Sequence, residues 1–271
     1  MIRHGVDLAD PDAVVTWINS VGWADGTKQL AMQVYRDYMA MKGISVSLPK
    51  IRRMDKLPYI PSASEVDAII SSCRLRTGVF LRLLKDTGAR ALEIWRLRWA
   101  DVDAENSCVT ITPAKGSHAR RLKISKETLA LLLALPKRNS YVFSPSADPA
   151  RFDIELEHFA RNYCKLRRCI AQRLHNPRLN LISLKTFRHW KATMEYVRTK
   201  DILHVKELLG HVNIQNTMKY VHIAKSIIKD QEYDVVFTQD KAELAAKLAE
   251  GYEYVAHTEF GHCLRKPKNT L

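Results

Sequence analysis

Residues 201–222 read DILHVKELLGHVNIQNTMKYVH, and the first ten of them indicate a short amphipathic helix. Asp201 is a favourable N-cap residue, and Gly210 suits the left-handed position that follows many helices. Between them, apolar residues recur at helical spacing and form one core face: Ile202, Val205, Leu208 and Leu209. The pattern predicts a helix with His211 directly after its end and Tyr220 nine positions further on.

The sequence outside this stretch is also mainly helical. Ser62 and Glu65 form a capping box that opens one helix. Apolar periodicity predicts further helices at residues 78–86, 91–97 and 126–135, and over most of the chain from residue 148 onward. Strand-like alternation is confined to three short segments joined by polar turns, at residues 98–102, 108–112 and 121–124. We therefore predict a mainly α fold with a small antiparallel β-sheet (α+β).

The N-terminal region predicts two helices of its own, at residues 10–22 and 27–41. In the second helix we expect the apolar side chains to be buried: Leu30, Met32, Val34, Tyr35, Tyr38 and Met39. Residues 48–61 contain three prolines and four basic residues, and prolines discourage regular structure, so this stretch is interpreted as a linker. The predicted parts are a helical domain (1–47), the linker (48–61), a main domain (62–235) and a C-terminal tail (236–271) with a helix and a short strand.

The charge balance favours a polyanionic partner. Lys and Arg total 43 against 29 acidic residues, which gives a net charge of +14. Phosphate neutralisation releases counterions and drives binding without sequence readout. Residues 161–191 hold nine basic residues and no acidic one, whereas residues 232–253 are mainly acidic. This separation indicates one functional face rather than a uniformly charged surface.

Several classes of protein are excluded or disfavoured by the composition and motifs. No apolar run approaches the ~20 residues that span a bilayer, and residues 1–10 lack the apolar stretch of a signal peptide. Five scattered cysteines argue for a reducing compartment, so we expect a cytoplasmic, nucleoid-associated protein without membrane contact. The chain has no P-loop, no H-E-x-x-H and no obvious carboxylate cluster, and we expect neither a cofactor nor a metal.

The remaining candidates for chemistry are a set of cations and one tyrosine. In chain order they are Arg90 after a Thr-Gly turn, Lys115 in a turn between strands, Lys185 and Arg188 three positions apart, His211, and Tyr220. Taken alone, each also fits an ordinary structural role. His211 could bind helix-end carbonyls, Tyr220 could pack in the core, and Glu93 is interpreted as a buried partner for a cation.

The order of these residues resembles the tyrosine recombinase (phage integrase) family. The family pattern is T-G-x-R-x-x-E, a hairpin lysine, H-x-x-R-H, L-G-H and a tyrosine nine residues after that histidine. All five elements occur in sequence between Ile60 and about Ile223. One position departs from the pattern, because Lys185 replaces the first histidine of H-x-x-R. In this, and in the acidic tail with a basic end, the chain is most similar to integrases of archaeal viruses and plasmids.

The resemblance implies a DNA strand breaking-and-rejoining enzyme. Tyr220 would be the nucleophile that forms a covalent 3′-phosphotyrosine intermediate, and the surrounding cations are expected to lower its pKa. Arg90 and Arg188 would clamp the phosphate oxygens, with Lys185 and His211 as further donors. Lys115 would protonate the leaving 5′-oxygen. Because the intermediate keeps the phosphodiester energy, rejoining needs neither ATP nor metal.

The resemblance also implies a clamp on double-stranded DNA. The domain at residues 1–47 would bind the core DNA, and the partner would be a DNA attachment site held by a homotetramer, with a monomer allowed in the free protein. Candidate DNA-binding residues are Lys50, Arg52, Arg53, Lys56, Arg120, Arg121, Arg167 and Arg168. We expect the tail to pack on a neighbouring subunit or to fold back on its own.

Three roles stay open at this point. Integration or excision of a mobile element, in a viral or plasmid genome, is favoured by the Lys185 variant and the tail. Xer-like resolution of chromosome or plasmid dimers uses the same chemistry. A catalytically silent DNA-binding factor is the third reading.

Overall fold

The computed structural model describes residues 4–51, 57–114, 116–229 and 233–267. The chain divides into two compact units, residues 1–57 and 58–271. Within the described residues the helices of the first unit are α1 (Pro11–Ser20) and α2 (Asp25–Met41). Asp10 caps α1 by accepting hydrogen bonds from the backbone N–H groups of Asp12 and Ala13, as its sequence position predicts.

The burial predicted for α2 is correct for one side of the helix only. Val14 and Ile18 of α1 pack with a face of α2 in a small apolar cluster: Met32, Tyr35 and Met39. The predicted burial of Leu30, Val34 and Tyr38 is wrong, because these side chains are exposed. Residues of α1 together with Leu48 cover one face of α2, whereas the sequence pattern is apolar over a wider arc.

The described part of the second unit is mainly helical, as predicted. Its helices are α3 (Ala63–Ser71), α4 (Leu75–Thr87), α5 (Ala91–Trp95), α6 (Lys126–Leu133), α7 (Phe152–Arg173), α8 (Leu184–Thr199), α9 (Ile202–Leu209), α10 (Gln215–Lys229) and α11 (Lys241–Ala249). Short 3₁₀ helices lie at Trp99–Asp101, Pro149–Arg151 and Pro177–Leu181. The main core packs residues of α3 to α8 and of the strand β2 (Cys108–Ile111). A second cluster joins α8, α9 and α10.

The predicted small antiparallel sheet is present in the order β1–β2–β3. Its strands are β1 (Val102–Asp103), β2 (Cys108–Ile111) and β3 (Arg120–Lys123). The predicted strand at residues 98–102 is wrong over most of its length. Asp101 accepts a hydrogen bond from the backbone N–H of Arg98 at 3.0 Å, and this cap closes a 3₁₀ turn before pairing with β2 begins.

The C-terminal tail contains more sheet than its sequence predicts. The helix expected at residues 240–250 is α11, and the strand expected near residues 252–255 is part of β5 (Glu253–Thr258). Two further strands complete an antiparallel sheet in the order β4–β6–β5: β4 (Tyr233–Thr238), which begins three residues before the predicted start of the tail, and β6 (Gly261–Pro267). The tail therefore folds into a compact α/β element through residue 267.

Two helix signals from the sequence have a direct role in placing the residues discussed below. Asp201 caps α9 through hydrogen bonds from the backbone N–H groups of Leu203 and His204. Gly210 ends α9 in the left-handed conformation with φ 66°, as predicted. The chain therefore turns sharply at Gly210, and this turn directs His211 towards the N-terminal half of α8.

Candidate active site

A cavity of about 610 Å³ lies where α5, α7, α8 and α10 meet. Its wall contains five of the six predicted catalytic residues: Arg90, Lys185, Arg188, His211 and Tyr220. The sixth, Lys115, lies outside the described residues, between Ala114 and Gly116. Residues from four separate parts of the sequence thus share one pocket, which also has the acidic side chains of Asp153 and Glu157 on its α7 side.

Arg90 is placed by the turn between α4 and α5. Gly88 takes the left-handed conformation with φ 62° and ends α4, so that Arg90 becomes the N-cap residue of α5. Its Nη1 donates to Glu93 Oε1 at 2.9 Å, and its backbone N–H donates to Glu93 Oε2 at 2.9 Å. The Arg90 side chain is 31% exposed and lines the cavity, so a ligand there can reach its guanidinium.

Glu93 links Arg90 to the segment that joins β2 to β3. The fully buried carboxylate also accepts hydrogen bonds from Ser117 Oγ at 2.9 Å and from Arg120 Nη2 at 2.6 Å. Burial alone raises the pKa of Glu93, but the hydrogen bonds and charge of Arg120, with further donors, outweigh it and lower the pKa to about 2. The carboxylate is therefore ionised at neutral pH and is the buried cation partner that the sequence predicts.

Arg188 is buried in α8 and is held by main-chain carbonyl groups. Its Nη1 donates to the carbonyl of Gly88, and its Nη2 donates to the carbonyl of Leu209, both at 2.8 Å. Burial, followed by the charge of Arg90, lowers its pKa to about 10, which leaves the guanidinium protonated at neutral pH. The ends of α4 and α9 thus fix this cation in one orientation before any ligand binds.

His211 is buried directly after the left-handed Gly210. Its Nδ1 lies 2.8 Å from Thr217 Oγ1 at the start of α10. Burial and the nearby Arg188 and Arg90 lower the pKa of His211 to about 4, so the imidazole is neutral at pH 7. A neutral imidazole whose Nδ1 is bound to a hydroxyl group can present its other nitrogen to a ligand as a hydrogen-bond partner.

The expected lowering of the Tyr220 pKa is wrong in the DNA-free protein. Tyr220 is only 1% exposed, and burial raises its pKa to about 12, although Arg188 and Arg90 act in the opposite direction. Desolvation of the phenolate raises the pKa of Tyr220 by more than the two arginines lower it. The tyrosine is therefore fully protonated at neutral pH.

Sequence reasoning also missed His189. Its Nδ1 lies 3.0 Å from the hydroxyl oxygen of Tyr220, and the two rings are 5.8 Å apart. A signal was available, because His189 is the last residue of the H-x-x-R-H element and directly follows Arg188. Its contact with Tyr220 depends on the packing of α8 against α10, which the sequence order alone does not reveal.

The predicted DNA-binding residues fall into different environments. Lys50, Arg121 and Arg168 are exposed, and Arg121 pairs with Asp103. Arg167 is partly buried, with its guanidinium 5.9 Å from the ring of Tyr163. Arg52, Arg53 and Lys56 lie outside the described residues.

Arg120 has a different environment from the other predicted DNA contacts. Its side chain is only 6% exposed, and its guanidinium is bound to Glu93. This is the position of an internal ion-pair partner rather than of a surface DNA contact.

Metal-ligand clusters and membrane-spanning helices are both absent from the described residues. No group of three or more His, Cys, Asp or Glu side chains is placed to hold a metal ion in the described part of the chain. Among the same residues, no helix combines the length and apolar composition that crossing a bilayer requires.

Comparison with known proteins identifies the family. The profile of the phage integrase family matches residues 60–226, which contain all six predicted catalytic residues. The chain belongs to the phage integrase family. It is 26% identical over 196 residues to tyrosine recombinase XerA of Saccharolobus solfataricus, covering 70% of this chain and 62% of the relative. It is 28% identical over 202 residues to tyrosine recombinase XerD of Listeria innocua, covering 68% and 61%.

Solved structures of family members show the same fold. The XerA recombinase crystal structure aligns with a TM-score of 0.52 at 18% identity, covering 84% of this chain and 82% of that one. The Tn1549 transposon integrase in complex with a circular intermediate DNA aligns with a TM-score of 0.62 at 13% identity, covering 90% and 85%. The matched regions span only about three-fifths of the length of the two curated relatives named above.

Proposed function

We propose that this chain is a site-specific DNA recombinase that cuts and rejoins DNA through a covalent 3′-phosphotyrosine intermediate. The observation that carries the proposal is the shared cavity, where one tyrosine meets Arg90, Lys185, Arg188 and His211. Four nitrogen-bearing side chains around one phenol match the needs of a phosphodiester that gains negative charge as it is attacked. Membership of the family and the named recombinases among its relatives support the same reaction.

In the proposed reaction, the Tyr220 oxygen forms a bond to phosphorus while the bond from phosphorus to the 5′-oxygen breaks. Arg188, fixed by two carbonyl groups, and Arg90, fixed by Glu93, would hold the non-bridging oxygens in a preorganised site. Lys185 and His211 would add donors, and Lys115 would give a proton to the leaving 5′-oxygen. The released 5′-hydroxyl of another strand reverses these steps, so the bond energy is conserved without ATP.

The proposed partner is duplex DNA at an attachment site, bound by four copies of the chain in the cytoplasm, in association with the nucleoid. Two duplexes need four strand cuts, and each copy offers one Tyr220. The helical N-terminal region and the linker would bind one side of the duplex, with Lys50, Arg121, Arg167 and Arg168 as contacts to the phosphates. The proposed domain limits stay at residues 1–47, 48–61, 62–235 and 236–271.

Within this class we propose a mobile-element integrase, on the basis of the Lys185 variant and the tail. Xer-like dimer resolution is the second candidate, because curated relatives of the chain are named XerA and XerD. Recombination assays on two plasmid substrates separate them. An integrase recombines the attachment sites of its element, whereas a resolvase recombines a chromosomal dimer-resolution site.

Covalent trapping tests the reaction itself. The protein is incubated in EDTA with a nicked suicide duplex that carries a candidate attachment site, and a protein–DNA adduct is sought on a denaturing gel. We expect an adduct in wild type and in Tyr254→Phe, a matched change at an exposed tyrosine of the C-terminal sheet, and none in Tyr220→Phe. An adduct that persists in Tyr220→Phe contradicts the assignment of the nucleophile. Tight, salt-dependent binding without any adduct favours a silent DNA-binding factor.

A further inference from the structure

The nucleophile candidate and a histidine outside the predicted catalytic set form a buried pair. His189 lies in the second turn of α8 and Tyr220 lies in α10, and the two helices pack against each other. The His189 Nδ1 is 3.0 Å from the Tyr220 hydroxyl oxygen, and both side chains line the cavity. Hydrogen-bond geometry therefore already connects the proposed nucleophile to a group that can accept a proton.

The protonation states of the two groups limit the possible forms of this hydrogen bond. Burial, together with Lys219, Lys185 and Arg188, lowers the pKa of His189 to about 4, so the ring is neutral at pH 7. Burial raises the pKa of Tyr220 to about 12, so the phenol keeps its proton. In the Nε2–H tautomer of the neutral imidazole the hydroxyl donates to Nδ1, and a proton transfer from Tyr220 to His189 requires this tautomer.

We infer that His189 takes the proton of Tyr220 at Nδ1 while the tyrosine oxygen bonds to phosphorus, an inference that rests on the proposed recombinase function. In that step the bond from the Tyr220 oxygen to phosphorus forms, and the bond from phosphorus to the 5′-oxygen breaks, with the proton of Lys115 going to the leaving oxygen. The O–H bond of the phenol also breaks, and its electron pair stays on the tyrosine oxygen. The proton moves to Nδ1 and makes the imidazole cationic. In the rejoining step His189 returns the proton as the phosphotyrosine bond breaks, which satisfies microscopic reversibility.

The resting pKa values keep the proton on Tyr220 in the DNA-free protein. With values of about 4 for His189 and about 12 for Tyr220, the proton stays on the phenol. Two changes on substrate binding favour its transfer. A phosphodiester anion in the cavity offsets the positive field that opposes protonation of His189, and the phenol oxygen becomes much more acidic as it bonds to phosphorus.

The charges around His189 come from several elements. Lys185 and Arg188 are on its own helix, and Lys219 is on α10. Asp153 and Glu157 of α7, with Arg90 and His211, line the same cavity. A phosphate in the cavity therefore neutralises the cations of α8 and α10 that oppose protonation.

The other titratable groups of the cavity have different connections. His211 uses its Nδ1 for Thr217, and Glu157 pairs with Arg161 at 3.2 Å. Lys185 and the two arginines are cations, and a cation cannot accept a proton. His189 is a neutral cavity side chain whose Nδ1 lies within hydrogen-bond distance of the Tyr220 hydroxyl.

The test is single-turnover cleavage of the suicide duplex by wild type, His189→Asn and His189→Ala. Asparagine can accept the hydrogen bond near the Nδ1 position but cannot take up the proton. We expect both variants to bind the duplex as wild type does and to cleave it about 10²-fold more slowly at pH 7. The control is His175→Asn, because His175 is exposed and has φ 48°, a conformation that asparagine tolerates.

The pH profile separates proton transfer from a structural role. In wild type, cleavage is expected to slow at acid pH as His189 becomes protonated in the complex. In His189→Asn this limb is lost, and the rate rises steadily with pH because hydroxide must remove the tyrosine proton. Thermal unfolding of each variant checks that the fold is kept, and His189→Asn carries the test if His189→Ala unfolds.

The outcomes distinguish this inference from the function on which it rests. If wild type forms no adduct, the proposed function and the inference both fail. If wild type cleaves and His189→Asn has the same rate and pH profile, the function stands and the inference is overturned. A slow His189→Asn with an unchanged pH profile also overturns proton transfer and leaves His189 as a positioning residue.

Discussion

Glu93 and Glu195 are both buried carboxylates in the second unit, and the pKa of each is about 2, below the ordinary value of 4.5. In both, burial raises the pKa and hydrogen bonds from cations outweigh it. Glu195 accepts from Arg198, from Lys191 at 3.0 Å and from His204 at 3.0 Å, which joins α8 to the start of α9. Glu93 binds Arg90, Ser117 and Arg120.

The Glu93 cluster and the Glu195 cluster, each a carboxylate with its hydrogen-bond partners, differ in where those partners lie. Arg90 lines the cavity, and Ser117 and Arg120 follow Lys115 by two and five positions in the chain. Among the described residues, neither Glu195 nor its three partners line that cavity. Burial and a low pKa therefore do not distinguish a functional carboxylate from a structural one. The distinction comes from whether its partners reach the ligand.

The largest expected effect is on the rate of DNA cleavage, which should differ strongly between the variants Glu93→Gln and Glu195→Gln. Loss of the Glu93 charge leaves Arg90 without its ionic anchor, and losing one fixed transition-state donor costs about 10²–10³ in rate. Glu195→Gln removes the same charge from a cluster outside the cavity, so we expect a rate close to that of wild type. Single-turnover cleavage of the suicide duplex measures both. Equal losses in the two variants would show that the clusters do not differ in function.

The next effect is on acid stability. A carboxylate with a lowered pKa stabilises the fold above its unfolded pKa, and this stabilisation is lost as the pH falls through the folded value. For Glu93 the difference of about 2.5 between the two values corresponds to about 3 kcal/mol at neutral pH. We expect the free energy of unfolding of wild type to fall between pH 4.5 and 2. The decline should be smaller in Glu93→Gln and in Glu195→Gln.

The histidines change the free energy of unfolding at a higher pH than the glutamates do. His189 and His211 have pKa values of about 4 against an ordinary value of 6.5, so the unfolded chain binds more protons in that interval. Stability therefore falls between pH 6.5 and 4 in wild type and in both glutamine variants. Denaturant unfolding at closely spaced pH values separates the two ranges. A glutamine variant with the wild-type decline below pH 4.5 would contradict the pKa of that glutamate.

Local signals predicted the helix ends well, and non-local packing accounts for the misses. The Ser62 capping box and the Asp201 cap are confirmed, because each depends on residues within one turn. Strands β4 and β6 were not predicted, because they pair with each other across the intervening α11 and β5. Leu30 was wrongly placed in the core, since helical periodicity identifies an apolar face without showing what covers it.

At the candidate site, too, the sequence predicted some features and missed those that depend on packing. An ordered pattern of residues was enough to predict which side chains meet, and the structure brings five of them to one cavity. The sequence pattern did not predict the contact of His189 with Tyr220 or that of Arg120 with Glu93, because each contact joins elements that are distant in sequence. The sign of the Tyr220 pKa shift was wrong because burial is a property of the packed structure.

The smallest expected effect is a difference in stability between alanine variants of two glycines. Gly210 lies near the Glu93 cluster, and Gly88 lies near the Glu195 cluster. Gly88 and Gly210 end α4 and α9 with φ 62° and 66°, so alanine at either position costs about 1–2 kcal/mol of backbone strain. A Cβ on Gly210 would lie 2.8 Å from Arg120 Nη1 and 3.0 Å from the His118 carbonyl oxygen. A Cβ on Gly88 would lie 3.1 Å from Lys191 Cγ. We therefore expect Gly210→Ala to be the more destabilising, by about 1 kcal/mol in chemical denaturation.

A double-mutant cycle shows whether Glu93 and Glu195 cause the difference in stability between Gly210→Ala and Gly88→Ala. The atom nearest to the added Cβ at Gly210 belongs to the guanidinium that Glu93 holds at 2.6 Å. In a Glu93→Gln background this guanidinium can move, so the cost of Gly210→Ala should decrease. At Gly88 the obstructing atoms are Cβ and Cγ of Lys191, close to the main chain of α8, and releasing its Nζ does not move them. Glu195→Gln should therefore leave the free-energy cost of Gly88→Ala unchanged. If the coupling free energy between Glu93→Gln and Gly210→Ala equals that between Glu195→Gln and Gly88→Ala, Glu93 does not fix Arg120.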